Sequence, residues 1–430
     1  MSLKRIEAAL IILNLAVFFI DIRLAVLLGV ILTLLYIKTS PGKALIPITV
    51  MTFMELGTGI SPGGIPLTVA KIGLGLLLLL YIRENLPLRN TAFLLPILTF
   101  GALFLFHLAF THDRETARWT LTIWGNVLYF FVTFNLCAGK KENFSFLVKG
   151  IFMALIFNSL MALYQGISGG HTIHGFGLNN DLHRFERFLN FIRPSGFFQN
   201  TNLLTVFLLP ASLFIFPLTE KKFRPLFIFP AAAFLITFSR SAWIALIFSV
   251  IVIAISMRKK GIALIALLAA VFLFSPFSKR FFESDPQRSV EYSDLGRKYA
   301  YSAALSEIKS DPVIGTGPGR LKMVFSKYAP YHLPMKELFT HSTYLSVQGE
   351  TGILGFAALL SMMLLSLHSL WRKFAGREYH VAGLFSIFIF MLFFDLQWEP
   401  QFWLIILLSA LAGPDGKEND ILYSDPVLQQ

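Results

Sequence analysis

Arg193 heads the run RPSGFFQNTN, and Arg240 stands alone in the apolar stretch from Pro225 to Met257. Arg184, Arg187, Arg288, Arg297 and Arg320 fall in the two longest polar segments. A guanidinium grips phosphate through paired N–H bonds and does not give up its charge. Arginines gathered at one face of an apolar chain therefore suit a phosphate-bearing ligand. The plainer alternative is lipid headgroup contact or ion pairing with loop carboxylates. It suits Arg193 and Arg240 least, because neither has a carboxylate beside it in sequence. His341 precedes Ser342 where an apolar run begins. The free N–H groups and positive dipole end of a helix start disfavour imidazolium. A neutral histidine at that boundary suits a general base; the competing role is a helix cap or a surface residue.

Other motifs point away from common chemistries. GTGPGR, residues 315–320, lacks the Lys-Ser/Thr ending of a nucleotide-binding loop and follows no strand pattern. Its glycines instead let backbone pass close to a neighbour. His171, His174, Asp181 and His183 match no closed zinc spacing, so no metal is expected. Cys137, the one cysteine, excludes an internal disulfide. Glu350 sits in an apolar run and is expected to bond within the bundle. Asp395 and Glu399, flanking DLQWEP, read as interfacial.

The elements that must position these groups are membrane helices. Of 430 residues, 55% are hydrophobic and 14% charged, and the mean hydropathy is +0.66. The expected fold is an all-α polytopic membrane protein with about 12 to 14 spans. Apolar runs fall near 6–20, 22–37, 44–60, 67–82, 91–110, 119–137, 146–168, 201–217, 225–238, 241–257, 261–276, 344–371, 380–396 and 400–412. The net charge of +12 sits largely in short basic loops and implies no nucleic acid. Those loops alternate along the chain so that all fall on one side, the cytoplasmic side, with both termini. As one helix, 225–257 would run roughly 50 Å, against a core of about 30 Å. Basic residues flank both ends, so a hairpin is expected, with Arg240 at its outer tip. Four sections follow: N-terminal helices 1–168, central helices 169–277 with an outer loop at 169–200, a large outer loop 278–343, and C-terminal helices with a tail, 344–430. Within the large loop an amphipathic helix is expected. Ser293 or Asp294 would cap it, Leu295, Tyr299, Ala303 and 305–308 would form its stripe, and Asp311-Pro312 would stop it.

HSTYLSVQGETGILG resembles the signature of the bacterial O-antigen ligase family: His341, Ser342, nine residues, Gly352, two residues, Gly355. RPSGFFQNTN, TFSRSAW and GRKYAYSAAL…DPVIGTGPG precede it in the family's order, so the resemblance covers roughly residues 190–356. It implies a GT-C type, metal-independent membrane glycosyltransferase without a cofactor. The donor would be an undecaprenyl-pyrophosphate-linked glycan. The acceptor would be lipid A–core oligosaccharide, at the periplasmic face of the inner membrane. His341 would be the base. Arg240 and Arg193 would hold the pyrophosphate with Arg297, for which Arg288 competes; Arg320 is a further candidate. Ser342, Glu350, Gly352 and Gly355 would be structural. An O-antigen polymerase or a protein O-oligosaccharyltransferase would use the same donor. A lipid-linked oligosaccharide flippase is the reading from another class; it would need a polar path through the helices, whereas polar residues here collect at one face.

Overall fold

The computed structural model describes residues 22–54, 68–89, 91–111, 113–138, 140–168, 187–188, 191–198, 200–257, 261, 290–321, 340–371 and 377–412. The α-helices in chain order are α1 (Ile22–Thr39), α2 (Leu45–Thr52), α3 (Val69–Glu84), α4 (Leu94–Thr111), α5 (Arg114–Cys137), α6 (Lys141–Ile167) and α7 (Thr201–Ile215). After them come α8 (Ile228–Ile236), α9 (Arg240–Met257), α10 (Val290–Ser310), α11 (Thr343–Trp371), α12 (Glu378–Phe390) and α13 (Pro400–Leu411). The all-α expectation meets one small exception, a two-residue antiparallel ladder pairing Arg187–Phe188 with Phe191–Ile192. Among the described residues α4, α5, α6 and α11 are long and apolar enough to cross a membrane, and several shorter apolar helices accompany them. The expected spans 6–20 and most of 261–276 lie outside the described residues, as do the termini, His171, His174, Asp181 and His183.

The chain groups into two compact units, each drawn from separated stretches. The first comprises Met1–Arg89, Phe131–Ser239 and Gly416–Gln430; the second comprises Asn90–Phe130 and Arg240–Asp415. In the first, α6 packs on α2, α7 and α8, and α2 packs on α3. Phe53 stacks on Phe207 with ring centroids 4.7 Å apart. Local chemistry sets the helix starts. The Thr68 hydroxyl accepts from Lys71 N (3.4 Å) ahead of α3, and Asn200 Oδ1 accepts from Leu203 N (2.9 Å) ahead of α7. Helix α8 stops at Ile236, Phe238 takes a left-handed φ of 51°, and α9 begins at Arg240. The 225–257 stretch is therefore broken where the basic flanks required, and Arg240 lies at a helix start.

In the second unit α11 is central and packs on α4, α10, α12 and α13, while α9 packs on α12. Helix α10 departs from its expected form. It begins at Val290, so Ser293 and Asp294 lie inside it rather than capping it. Its buried face is Ala300, Ala303 and Ala304, set against Leu321 and Leu345, while Leu305 is 48% exposed. Small alanines let α10 approach α11, and that contact outweighs the larger side chains of the sequence stripe. Its stop at Ser310, before Asp311-Pro312, is as expected.

Helix α11 is not continuous. Gly352 has φ 64°, ψ −164°, a region essentially confined to glycine. The groups freed by the break are paired by residues 312–317. Ile353 N donates to Pro312 O, Thr316 N to Gly349 O and Gly317 N to Glu350 O, each at 2.9 Å. A Cβ on Gly315, itself at φ 78°, would lie 2.6 Å from the Glu350 carbonyl carbon. One on Gly352 would overlap the Val313 carbonyl. Gly352→Ala combines forbidden backbone with steric overlap, and a loss of about 3 kcal/mol or more is expected. The unfolding midpoint of detergent-purified protein checks this; a midpoint matching the parent would mean that the close approach is not required.

Candidate active site

His341 lies in the turn that leads into α11, with an unusual φ of 52° for a side-chain-bearing residue. Such a conformation costs about 1–2 kcal/mol and persists where its surroundings over-determine it. Here they do. Asp395, in the link between α12 and α13, accepts from His341 N through Oδ2 (3.0 Å) and from Ser342 N through Oδ1 (3.2 Å). One carboxylate thus caps the start of α11 from another part of the chain. Thr343 closes the joint: its N reaches the Met391 and Phe394 carbonyls (2.9 Å each), and its hydroxyl accepts from Leu396 N (2.8 Å). Ser342 O accepts from Ser346 N (2.9 Å), and Gln397 Nε2 donates to Ser346 Oγ (2.8 Å).

The backbone of His341 is thus tied down, while no hydrogen bond reaches its imidazole among the described residues. Burial, and behind it the positive charge of Arg297, lowers the imidazole to about 4. The neutral form foreseen from the helix start is the one favoured, with burial as its main cause. Arg297 comes from α10, and its Nε is buried without a hydrogen-bond partner among the described residues. One turn on, the Tyr301 hydroxyl lies 3.4 Å from both the His341 and Leu392 carbonyls. Asp395 keeps a partly exposed edge by surface area. Burial nonetheless dominates, pushing its carboxyl up to about 6 against the pull of the His341 and Ser342 amides and the Thr340 side chain. An imidazole held neutral, a cation whose Nε has no partner among the described residues and a carboxylate that fixes the imidazole's backbone could together serve a hydroxyl beside an anion.

The other residues singled out from sequence fall in different places. Glu350 is buried, and its Oε1 accepts from Gly319 N at 3.0 Å, bonding within the bundle as expected. The same loop is held by His107 Nε2 at the Ile314 carbonyl (3.0 Å) and by Thr116 at the Pro318 carbonyl (3.4 Å). GTGPGR is therefore a packed clasp over the break in α11. Gly355 is buried against the Thr351 hydroxyl, where a side chain would collide. Arg320 faces Asp113, with Nε 3.8 Å from Oδ2. Arg240, the first residue of α9, is half-buried. Arg184 and Arg288 lie outside the described residues, and Arg187 has only its backbone described.

Arg193 belongs to the first unit and is 4% exposed. Its Nε donates to the Thr237 carbonyl (2.7 Å) and its Nη2 to Asn202 Oδ1 (3.4 Å); Ser239 Oγ donates to the same Asn202 oxygen (3.1 Å). Gln165 Oε1 accepts from Ser195 N and Gly196 N at 3.0 and 2.9 Å. Arg193 thus fastens the RPSG turn to the end of α8, immediately before Arg240 in sequence.

Residues 225–360 match the O-antigen ligase family. The matched segment includes the His341–Gly355 run that resembles this family's signature. The matched segment contains Arg240, Arg297, Arg320, His341, Ser342, Glu350, Gly352 and Gly355 and leaves Arg193 outside. No curated protein matches the chain.

Two groups at the His341 turn escaped the sequence reading: Asp395, taken as interfacial, and Tyr301. Asp395 lies 54 residues beyond His341. The available signal was an acidic residue at a turn before the last apolar run. Tyr301, four residues after Arg297, carried a helical-spacing signal.

Acid should act on this joint in two opposed ways. His341 is lowered below its usual 6.5, so the stability of the neutral form is complete above that value and is lost as pH falls toward about 4. Asp395 is raised above 3.8, so its contribution is complete below that value and is lost as pH rises through about 6. His341→Gln should flatten the acid loss, and Asp395→Asn should remove the loss between pH 4 and 6. Unfolding midpoints of purified protein across pH 4–7 read both; unchanged pH profiles in the two variants would sink the assignment.

Proposed function

We propose that the chain is an O-antigen ligase that moves a glycan from undecaprenyl pyrophosphate to lipid A–core oligosaccharide, without a metal. The reading sets it in the bacterial inner membrane, with about 12 spans, the site on the periplasmic face and both termini cytoplasmic. The observation that carries it is the imidazole of His341 at a backbone-locked turn, with Arg297, whose Nε has no hydrogen-bond partner among the described residues, contributing positive charge there. The family match over 225–360 supports a membrane enzyme of the ligase and polymerase kind acting on lipid-linked glycans.

In this mechanism the acceptor hydroxyl gives its proton to His341 as its oxygen attacks the anomeric carbon. The bond from that carbon to the phosphate oxygen breaks, and undecaprenyl pyrophosphate departs with the electron pair. Attack opposite the leaving group inverts the anomeric centre. Arg240 and Arg297 stabilise the growing negative charge, and Arg193 does so directly or by holding the turn that precedes Arg240. Arg288 and Arg320 are further candidates for the pyrophosphate. Removing one such preorganised donor costs about 2.7–4 kcal/mol, or on the order of a hundred- to a thousandfold in rate.

His341→Ala should abolish transfer, and Arg240→Ala and Arg297→Ala should each slow it by on the order of a hundredfold or more, with membrane insertion intact. Full activity in His341→Ala would remove that residue from the mechanism. Purified protein is given undecaprenyl-pyrophosphate glycan with lipid A–core, with a second lipid-linked glycan, or with an acceptor protein. Product on lipid A–core alone supports ligase; chain extension makes it a polymerase, and glycosylated protein a protein O-oligosaccharyltransferase. Movement of the lipid-linked glycan across vesicles with no transfer would make it a flippase. Activity should survive EDTA; loss that Mg²⁺ restores would defeat the metal-free step. The acid limb of the pH–rate profile should fall near 6 through Asp395 and move toward about 4 in Asp395→Asn.

A further inference from the structure

The first unit carries a basic and apolar segment that the transfer reaction does not use. A 3-10 helix, Lys221–Phe227, leads into α8. Lys221 and Lys222 are exposed on it. So are Phe223 (41%), Leu226 (37%) and, at the start of α8, Ile228 (65%). The segment is held in place. Arg224 donates to the Thr219 and Pro217 carbonyls (3.1 and 3.2 Å), and its guanidinium covers the Phe216 ring at 5.4 Å. Phe152 of α6 packs on Phe227 and Phe223, with centroids 5.5 and 6.3 Å apart. Less than one turn before Phe152, exposed Lys149 lies over the Phe146 ring at 5.6 Å.

The charge here is one-sided. Glu220 is the acidic group of the segment and pairs with Lys222 at 2.8 Å. That hydrogen bond first, and then the charges of Lys222 and Lys149, hold its carboxyl below the usual range. Lys222 and Lys149 therefore act on one carboxylate and exposed Lys221 follows it in sequence, beside three exposed apolar side chains on an anchored segment. Exposed Phe, Leu and Ile gain by entering an acyl boundary, while a lysine ammonium reaches up from such a boundary to phosphate.

We propose that Lys149, Lys221 and Lys222 form an interfacial site for anionic phospholipid headgroups, with Phe223, Leu226 and Ile228 seated in the adjoining acyl region. The proposal rests on the membrane reading of the fold and is independent of the transfer chemistry. An acidic protein partner would answer the charge but leave the apolar side chains unexplained, so the lipid surface is the occupant that meets both.

The test uses the full chain in mild detergent, titrated with dioleoylphosphatidylglycerol or with zwitterionic dioleoylphosphatidylcholine. Lipid retention is read by native mass spectrometry and by the unfolding midpoint, since a ligand of the folded state raises it. Phosphatidylglycerol should be retained and stabilising, and phosphatidylcholine much less so. Each lysine near an anionic surface is worth roughly fivefold in affinity. The triple variant Lys149→Gln, Lys221→Gln, Lys222→Gln should thus bind phosphatidylglycerol on the order of a hundredfold more weakly. Its lipid-free midpoint should stay close to the parent's, because the replaced side chains are exposed and surface contacts such as the Lys222–Glu220 pair contribute little. Phe223→Ser with Ile228→Ser should weaken retention of both lipids and keep the preference for phosphatidylglycerol. Equal retention of the two lipids by the parent, or unchanged phosphatidylglycerol affinity in the triple variant, would overturn the site. None of these readouts depends on glycan transfer, so they fail or succeed apart from the ligase reading.

Discussion

Backbone polar groups in an apolar medium must find partners, and α11 depends on that constraint at two points. At its start, the amides of His341 and Ser342 have no intrahelical carbonyl to meet, and the Asp395 carboxylate takes both. At Gly352 the helix breaks, and residues 312–317 supply the missing donors and acceptors. Buried irregular backbone is tolerated where protein satisfies it, and here the cover is a glycine-rich clasp. Remove either partner and buried amides or carbonyls are left unmet, at a cost well above the worth of an ordinary hydrogen bond.

The same two supports account for the spacing of the signature. His341 needs an unfavourable φ, which survives because the carboxylate, the Thr343 joint and the Tyr301 hydroxyl act on one short turn. Gly352 and Gly355 lie on the helix that begins there, one permitting the break and the other packing beside Thr351. His341, whose imidazole meets no hydrogen bond among the described residues, and the residues that shape its helix are thus parts of one device. Arg297 and Tyr301 join it from α10, whose alanine face allows close packing on α11.

Much of this was legible in the sequence. Apolar runs located α4, α7, α9, α11 and α13 to within a few residues, because a run of apolar side chains shows along the chain whatever its neighbours are. Basic flanks required a break inside 225–257, and the chain turns at Thr237–Ser239 with Arg240 starting the next helix. The glycines of GTGPGR were rightly taken as permitting close backbone approach. The start of α10 was misread, and its buried face in part: Ala303 is buried as expected, while Leu305 is 48% exposed. Ser293 and Asp294 are good caps locally, but packing of Ala300, Ala303 and Ala304 against Leu321 and Leu345 sets the helix face in place of the larger residues.

The sequence by itself determined the helical, apolar class, the run that resembles the O-antigen ligase family and the histidine just ahead of a helix start, because hydropathy and side-chain type are local properties. Only the tertiary structure decided which groups those side chains meet. Asp395 is 54 residues from the turn it secures, and its place at a turn before the last apolar run does not say which amides it meets. Arg193 and Arg320 look alike as cations, yet one is sunk onto the Thr237 carbonyl and the other faces Asp113. Pairing is settled by which backbone and carboxylate groups folding brings within hydrogen-bond reach, and that distance in space has no counterpart along the chain.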